Sequence, residues 1–149
     1  MKIYVSAPLF NEMERAFNEK VDAMLQAMGF ETYLPQRDGA EAAKLLDEGR
    51  DWNEVSRELF ELDTQGVRQC DVLLYLLDGR VPDDGASVEL GMAYAWGKLC
   101  IGFQTDSRRF ARGYNNLMLE RALDFGIASS WEDLKKLLEK ARKHLEFSG

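Results

Sequence analysis

Histidine is almost absent from this sequence, which has only His144, near the end of the chain. A Ser-His-Asp triad and a zinc site built on imidazoles both require histidine among other reactive side chains. His144 instead lies among charged residues on a predicted terminal helix, where we expect it to be exposed and without a chemical role. The sequence therefore argues against both kinds of site.

Cysteines and long apolar runs are also scarce. The two cysteines, Cys70 and Cys100, flank or lie in predicted buried strands, so we expect free core thiols, as in a reducing compartment. No apolar run approaches the length of a membrane span, and the chain opens directly with a β-prone segment. These features predict a cytoplasmic protein without a cleaved leader.

The chain lacks an excess of positive charge, since its formal net charge is −7. Nucleic-acid polymers and anionic membranes both favour clustered lysine and arginine. The longest basic cluster, residues 135–143, is interleaved with acids, as on a solvated helix face. We therefore expect neither a nucleic-acid polymer nor a membrane as partner.

Strand and helix patterns alternate along the whole chain. A length of 149 residues suits one domain, residues 1–149, with a sizeable core. The pattern predicts a doubly wound, five-stranded, mainly parallel α/β sheet of flavodoxin-like or Rossmann-like type. The predicted strands are residues 2–6, 30–34, 71–78, 99–104 and 126–128, and the predicted helices lie near residues 11–28, 40–46, 52–66, 87–98, 116–123 and 131–145.

Several helix ends have recognisable signals. Asn11 can cap the first helix, and Gly29 can end it. Ser129 with Glu132 predicts a capping box for the last helix. Residues 36–39 are polar and predict a loop.

The most informative stretch is residues 82–91, which follows the most apolar predicted strand. It predicts a loop containing Gly85, with Asp83 and Asp84 beside it and Glu89 in the first turn of the next helix. Loops at the carboxyl ends of parallel strands form the ligand crevice. Three carboxylates there suit a neutral or cationic ligand, or a metal, better than a bare phosphate.

Four positions combine into a plausible chemistry: Tyr4 in the first strand, Asp63 beside a buried helix stripe, and Asp83 and Glu89 flanking the glycine. A carboxylate can attack an electrophilic sugar carbon and stabilise its developing positive charge. A second carboxyl group can protonate the leaving group. Two such groups close together make a site for retaining glycosyl transfer.

At these positions the chain resembles the nucleoside 2-deoxyribosyltransferases, over a span from residue 2 to about the C-terminus. The ordered set of matches is more specific than any single segment. The matching pieces are residues 2–8 (KIYVSAP), Asp63, residues 71–75 (DVLLY), residues 82–85 (PDDG), residues 89–95 (ELGMAYA) and residues 116–118 (NLM).

The resemblance implies a role for each catalytic candidate. Glu89 would be the nucleophile that attacks C1′ of deoxyribose, and Asp63 would move the proton that the leaving base needs. Asp83 would hydrogen-bond the 5′-hydroxyl of the sugar. Tyr4 would orient Glu89 and crowd the C2′ side.

The resemblance also implies a substrate-binding set and a homo-oligomer. Phe10 would pack near the base or sugar, Ser6 would lie near the 5′ end of the substrate, and Gly85 belongs to the same substrate-binding set. Asn116 and Met118 would be lent to the site of a neighbouring subunit. The set would therefore be complete only in an oligomer.

The reaction implied is transfer of 2-deoxyribose from one nucleobase to another, with slow hydrolysis when water replaces the acceptor. The partners would be deoxynucleosides and free nucleobases, and no cofactor or metal would be needed. Residues 36–38 (QRD) occupy the region expected to meet the base, without a residue-by-residue correspondence.

Three other interpretations remain open from the residues. The chain could be an N-glycosidase of 2′-deoxynucleoside 5′-monophosphates, although a carboxylate at Asp83 would repel a phosphate. It could be a non-catalytic nucleotide-binding module. Asp78, Asp83 and Asp84 could bind magnesium, although no P-loop accompanies them.

Each candidate also has an ordinary structural interpretation. Glu89 favours a helix start, Asp83 and Asn116 are good caps, and tyrosine in a strand, like Tyr4, is usually core. Met118 beside an apolar neighbour usually packs.

Overall fold

One parallel β-sheet organises the protein, which is described by a computed structural model over residues 1–110 and 112–148. The strand order is β2-β1-β3-β4-β5, and every neighbouring pair is parallel. This is the flavodoxin-like order, so the predicted fold class is confirmed. The strands are β1 Lys2–Ser6, β2 Glu31–Tyr33, β3 Val72–Leu76, β4 Leu99–Phe103 and β5 Gly126–Ala128.

Helices cover both faces of this sheet. One face packs on α1 and α7 through buried residues such as Leu25 and Leu138, and the other packs on α4 and α5 through Val67 and Leu90. The helices are α1 Glu12–Ala27, α2 Pro35–Asp38, α3 Ala42–Asp47, α4 Trp52–Gln69, α5 Asp84–Ala95, α6 Leu117–Ala122 and α7 Trp131–Ser148.

The alternation of side chains along β1 decides which residues face which helices. Ile3 and Val5 enter the core beneath α1 and α7. Tyr4 enters the opposite core beneath α4 and α5, and Ser6, two residues later, lies on the same side. The period of two therefore places two hydroxyl groups side by side under α5.

The start of α5 differs from the predicted one. The helix begins at Asp84, because the side chain of Asp83 accepts a hydrogen bond from the amide of Ala86 at 2.8 Å and caps it. Gly85 therefore lies in the first helical turn and not in a loop. Glu89 lies in the second turn, and the prediction that it lies in the first turn is wrong.

Two other local predictions are wrong for reasons of hydrogen bonding. Residues 36–39 were expected to form a loop, but Pro35 opens the short helix α2, and the amide of Leu34 donates to Asp38 at 2.8 Å. The capping box of α7 uses Ser130, which accepts from the amide of Asp133 and donates to its carboxylate. The cap of α1 by Asn11 is confirmed, with Glu14 completing its capping box.

The scarce residues occupy ordinary positions. Cys70 and Cys100 are buried free thiols, and burial raises their pKa values to about 11 and about 12. His144 is exposed and meets the ring of Phe125 edge-on. No helix in the described part of the chain has an apolar stretch long enough to cross a membrane.

Candidate active site

The carboxylate of Glu89 receives a hydrogen bond on each oxygen. The hydroxyl of Tyr4 donates to Oε1 at 2.7 Å, and the hydroxyl of Ser6 donates to Oε2 at 2.6 Å. Both donors come from β1, while Glu89 comes from α5, so strand and helix together set the orientation of the carboxylate. The Tyr4 contact agrees with the orienting role expected for it.

The pKa of Glu89 lies close to neutrality. Burial raises this pKa, the hydrogen bonds from Ser6 and Tyr4 lower it, and the charges of Asp63 and Asp83 raise it. The net value is about 7. Desolvation disfavours the ionised form, whereas donors and solvent favour it. Glu89 is therefore a carboxyl group that can exist either protonated or ionised near neutral pH, a property typical of reacting groups.

Asp63 is the second carboxyl group of this region and lies on the inner side of α4. Burial raises its pKa, and its charge in turn raises the pKa values of Tyr4, Tyr33 and Glu89. Within residues 1–110 and 112–148, its carboxylate has no hydrogen-bond partner. The site thus contains two desolvated carboxyl groups, of which one is held by hydroxyls and the other is free to meet a ligand.

Ser6 has a more direct place than the sequence suggested. It was expected near the 5′ end of a substrate, but its hydroxyl is 2.6 Å from Glu89 and 3.3 Å from the carbonyl oxygen of Ala86. The signal for this contact is the spacing of two residues from Tyr4 on a strand. Sequence analysis also missed Tyr33, whose ring stacks on that of Tyr4.

Asp83 is the N-cap residue of α5. Its Oδ2 accepts the capping hydrogen bond, and its backbone carbonyl accepts from the hydroxyl of Ser87 at 2.7 Å. A Cβ atom added to Gly85 would be 3.3 Å from the Asp83 carboxylate. Gly85 therefore keeps this capping carboxylate uncrowded, and Oδ1 of Asp83 has no partner within the described residues.

The remaining predicted residues, Phe10, Asn116 and Met118, lie on a rim of exposed side chains at the edge of the site, and none of them hydrogen-bonds Glu89 within the described residues. Phe10 and Met118 have 75% and 71% of their surface exposed. Asn116 caps α6 by accepting from the amide of Met118 at 2.9 Å. A cavity of about 670 Å³ is lined by Ser87, Asn116 and Met118 and opens beside the start of α5. Within one chain, the structure does not bring these rim residues to the Glu89 carboxylate.

The segment expected to meet the base is engaged elsewhere. Gln36 hydrogen-bonds Asn18, and Arg37 forms ion pairs with Asp22 at 2.6 Å and Asp38 at 2.6 Å. The Arg37 guanidinium lowers the pKa of Asp38. These side chains join α2 to α1.

The magnesium alternative finds no matching geometry. The carboxylate of Asp78 accepts from the backbone amides of Thr105 and Asp106, each at 2.7 Å, which ties the end of β3 to the end of β4. Asp83 is used as a cap. Among the residues described, no group of three histidine, cysteine or carboxylate side chains is placed to hold a metal ion.

The raised pKa of Glu89 gives a prediction for stability. The folded state binds a proton more tightly than the unfolded state, so its stability falls as pH rises from the unfolded pKa through about 7. We expect Glu89→Gln to stabilise the fold at pH 8 by about 1–2 kcal/mol and to have little effect at pH 5.

Urea denaturation at the two pH values measures this difference. Glu61→Gln, on the exposed side of α4, serves as the control and is expected to show no such pH dependence. An equal effect of Glu89→Gln at both pH values would contradict the desolvated state of this carboxyl group.

Comparison with known proteins identifies the family and the fold of this chain. The family model for nucleoside 2-deoxyribosyltransferase matches residues 3–143. A conserved protein from Enterococcus faecalis V583 is 28% identical, over 97% of this chain and 98% of that chain, with a TM-score of 0.75. No curated protein matches the sequence.

Two further solved structures share the fold. The 2-deoxyribosyltransferase of Bacillus psychrosaccharolyticus is 23% identical over 90% of each chain, with a TM-score of 0.74. The CMP N-glycosidase of Clostridium botulinum is 17% identical over 93% of this chain and 97% of that one, with a TM-score of 0.54. Because the family model spans nearly the whole chain, this protein belongs to the nucleoside 2-deoxyribosyltransferase family and is an enzyme.

Proposed function

We propose that this enzyme transfers 2-deoxyribose between nucleobases through a covalent intermediate on Glu89, with retention of configuration. The observation that supports it best is the arrangement of Glu89. Its carboxyl group is desolvated and accepts one hydrogen bond from Tyr4 and one from Ser6, and the charge of Asp63 raises its pKa. A carboxylate used only for structure would gain more from an ion pair than from a second carboxylate.

In the first step, a carboxylate oxygen of ionised Glu89 attacks C1′ of the deoxynucleoside. The N-glycosidic bond breaks, and its electron pair stays on the base nitrogen. Asp63 acts in its protonated form and gives its proton to the leaving base, and burial raises the pKa of this carboxyl group above its usual value. Glu89 also stabilises the positive charge that develops on the sugar ring.

In the second step, a nitrogen of the acceptor base attacks C1′ on the face that the first base left. The bond between C1′ and Glu89 breaks, the electron pair returns to the carboxylate, and the proton of the acceptor goes to Asp63. Two inversions give net retention. Water in place of the acceptor would give hydrolysis by the same route.

The hydroxyls on β1 support this chemistry by keeping Glu89 ionised and oriented. Each donates a hydrogen bond that favours the carboxylate over the acid. Tyr4 is fully buried beneath α4, so its support for this chemistry comes through the hydrogen bond that it donates to Glu89. Phe10, on the exposed β1–α1 connection, would cover the base or sugar.

The first experiment is exchange between deoxyinosine and adenine, followed by chromatography. We expect deoxyadenosine to form only when adenine is present, because the glycosyl-enzyme needs an acceptor. Glu89→Ala should lower the rate by about 10³-fold or more. Glu61→Ala is the matched control on an exposed helix face.

Each alternative outcome of this assay has a distinct meaning. Equal release of hypoxanthine with and without adenine, and no new nucleoside, would identify a hydrolase. A Glu89→Ala variant with a near-native rate would exclude the covalent mechanism. Binding of deoxyinosine without any turnover would favour the non-catalytic module.

A second candidate function is N-glycosidase activity on 2′-deoxynucleoside 5′-monophosphates. Its support is that Arg80, Arg108 and Arg109 line the cavity that also contains Ser87. Guanidinium groups are suited to phosphate recognition. The same assay with deoxyadenosine 5′-monophosphate distinguishes the two functions, since preference for the monophosphate and insensitivity to an acceptor base would identify the N-glycosidase.

We propose that Oδ1 of Asp83 accepts a hydrogen bond from the 5′-hydroxyl. In the wild type, replacing 2′-deoxyinosine by its 2′,5′-dideoxy analogue should lower kcat/KM about 10- to 100-fold, as expected for a hydrogen bond to a charged group. In Asp83→Asn this discrimination should largely vanish, while the helix cap is kept because asparagine caps equally well.

Asp84→Asn is the control for this experiment, because Asp84 is exposed in the first turn of α5. It should discriminate between the two substrates as the wild type does. Unchanged discrimination in Asp83→Asn would refute the assignment of the 5′-hydroxyl to this carboxylate.

We propose further that the enzyme is a homo-oligomer in which Asn116 and Met118 complete the site of a neighbour. In their own chain the side chain of Asn116 caps α6 and that of Met118 is exposed, close to other exposed large apolar side chains. Such an exposed apolar surface is typical of an interface. The exposed rim residues are Phe10, Met13, Val81, Phe110, Tyr114, Leu117 and Met118.

Complementation between two defective variants tests the shared site. Asn116→Ser keeps a capping hydroxyl but removes the amide, and we expect it to lower activity about 10-fold. Coexpression of Glu89→Ala with Asn116→Ser should restore about a quarter of wild-type activity, because random pairing makes that fraction of sites intact. Activity no higher than the mean of the two single variants would place both residues in one subunit's site.

A further inference from the structure

The hydroxyl of Tyr33 is buried and has no hydrogen-bond partner among the described residues. Such an orphan group is unfavourable, and in a native structure it calls for an explanation. Tyr33 lies on β2 directly beside Tyr4 of β1, and the two rings stack with centroids 5.1 Å apart and planes 10° apart. The ring of Tyr33 therefore forms a flat wall against the ring whose hydroxyl holds Glu89.

Gly66 lies against the neighbouring edges of both rings. A Cβ atom added there would lie 2.9 Å from Cε2 of Tyr4 and 3.2 Å from Cε1 and Cζ of Tyr33. Glycine weakens the interior of a helix, and Gly66 lies three residues from the end of α4 without needing a left-handed backbone. Its reason for being glycine is thus the close approach of the helix to both rings.

We propose that Tyr33 and Gly66 are positioning residues that form a slot for the Tyr4 ring and so hold its hydroxyl on the Glu89 carboxylate. A phenol ring has two side-chain torsions, and a ring stacked on its face together with a helix backbone against its edge restricts both. The effect of this slot on catalysis rests on the proposed glycosyl transfer. Its effect on the hydrogen bond between Tyr4 and Glu89 is independent of that function.

Burial and the nearby negative charges keep the hydroxyl groups of Tyr4 and Tyr33 protonated. Burial raises the pKa of Tyr33 to about 12, with a further contribution from Asp63, and burial and the charge of Glu89 raise that of Tyr4. Tyr4 therefore remains protonated, and so a hydrogen-bond donor, at neutral pH. The groups near Glu89 are Tyr4 and Ser6 from β1, Asp63 from α4 and Asp83 from the cap of α5, together with Tyr33 from β2 and Tyr75 from β3, whose pKa values the charge of Glu89 raises.

Two independent changes disturb the slot. Gly66→Ala pushes a methyl group into both rings, and Tyr33→Leu removes the wall. The matched control is Gly91→Ala, because Gly91 is also in a helix but has no atom within 4 Å of an added Cβ. Tyr33→Phe keeps the ring and removes only the orphan hydroxyl, so it serves as the conservative rescue of Tyr33→Leu.

The test measures the pKa of Glu89 and the kinetics of exchange. The pKa is followed by ¹³C NMR of protein labelled at the glutamate carboxyl carbon, with Glu89→Gln assigning the signal. We expect Gly66→Ala and Tyr33→Leu to raise this pKa, because a hydrogen bond that lowers it is lost. They should also lower kcat about 10-fold with KM nearly unchanged, and move the acid limb of the pH profile upward.

The outcomes separate this inference from the proposed function. Folded variants with an unchanged Glu89 pKa and unchanged kcat would overturn the slot, as would a Tyr33→Phe variant as impaired as Tyr33→Leu. A wild type that performs no exchange, together with a raised pKa in the variants, would refute the proposed function but support the slot. If Gly66→Ala does not fold, Tyr33→Leu alone decides.

Discussion

The rest of the site depends on one constraint, which is that the carboxylate of Glu89 is taken partly out of water without a cation beside it. Desolvation of a charged group is strongly unfavourable unless hydrogen bonds replace the lost solvent. Here the replacement consists of two short bonds from Tyr4 and Ser6. Since each carboxylate oxygen has one donor, the loss of either hydroxyl would leave part of the charge unsupported.

This constraint links the site to the fold. The two donors share one face of β1 because they are two residues apart, and the same alternation sends Ile3 and Val5 into the opposite core. Glu89 reaches them because α5 begins early, at the Asp83 cap, and packs on the sheet through Leu90. The register of a strand and the start of a helix thus decide the geometry of the Glu89 carboxyl group.

Much of this arrangement was predictable from the sequence, and the missed parts have physical causes. The alternation of apolar segments predicted the five strands because it depends on burial, which is a strong and local signal. The start of α5 was misplaced because Gly85 was taken as a loop residue, whereas the competing cap at Asp83 lies two residues earlier. The contact of Ser6 with Glu89 spans 83 residues of sequence and depends on tertiary packing.

Tyr33 and Gly66 show why such positioning groups escape sequence analysis. Each looks ordinary alone, a tyrosine in a short strand and a glycine near a helix end. Their contact with the Tyr4 ring forms only when β2 lies beside β1 and α4 packs against both rings. The same is true of residues 36–38, which the resemblance placed in the region of the base and whose side chains join α1 and α2 in the structure.

The site also shows where the protein departs from the most stable arrangement. A second carboxylate beside Glu89, an orphan phenol on Tyr33 and a helical glycine at position 66 are each unfavourable for folding. All three lie around one ring, that of Tyr4, although α1 on the other face also has an orphan buried oxygen, Oδ1 of Asp22. Functional sites are where such local conflicts are expected to persist. Three conflicts around a single ring therefore support the proposal that the chemistry of this enzyme takes place between β1, α4 and α5.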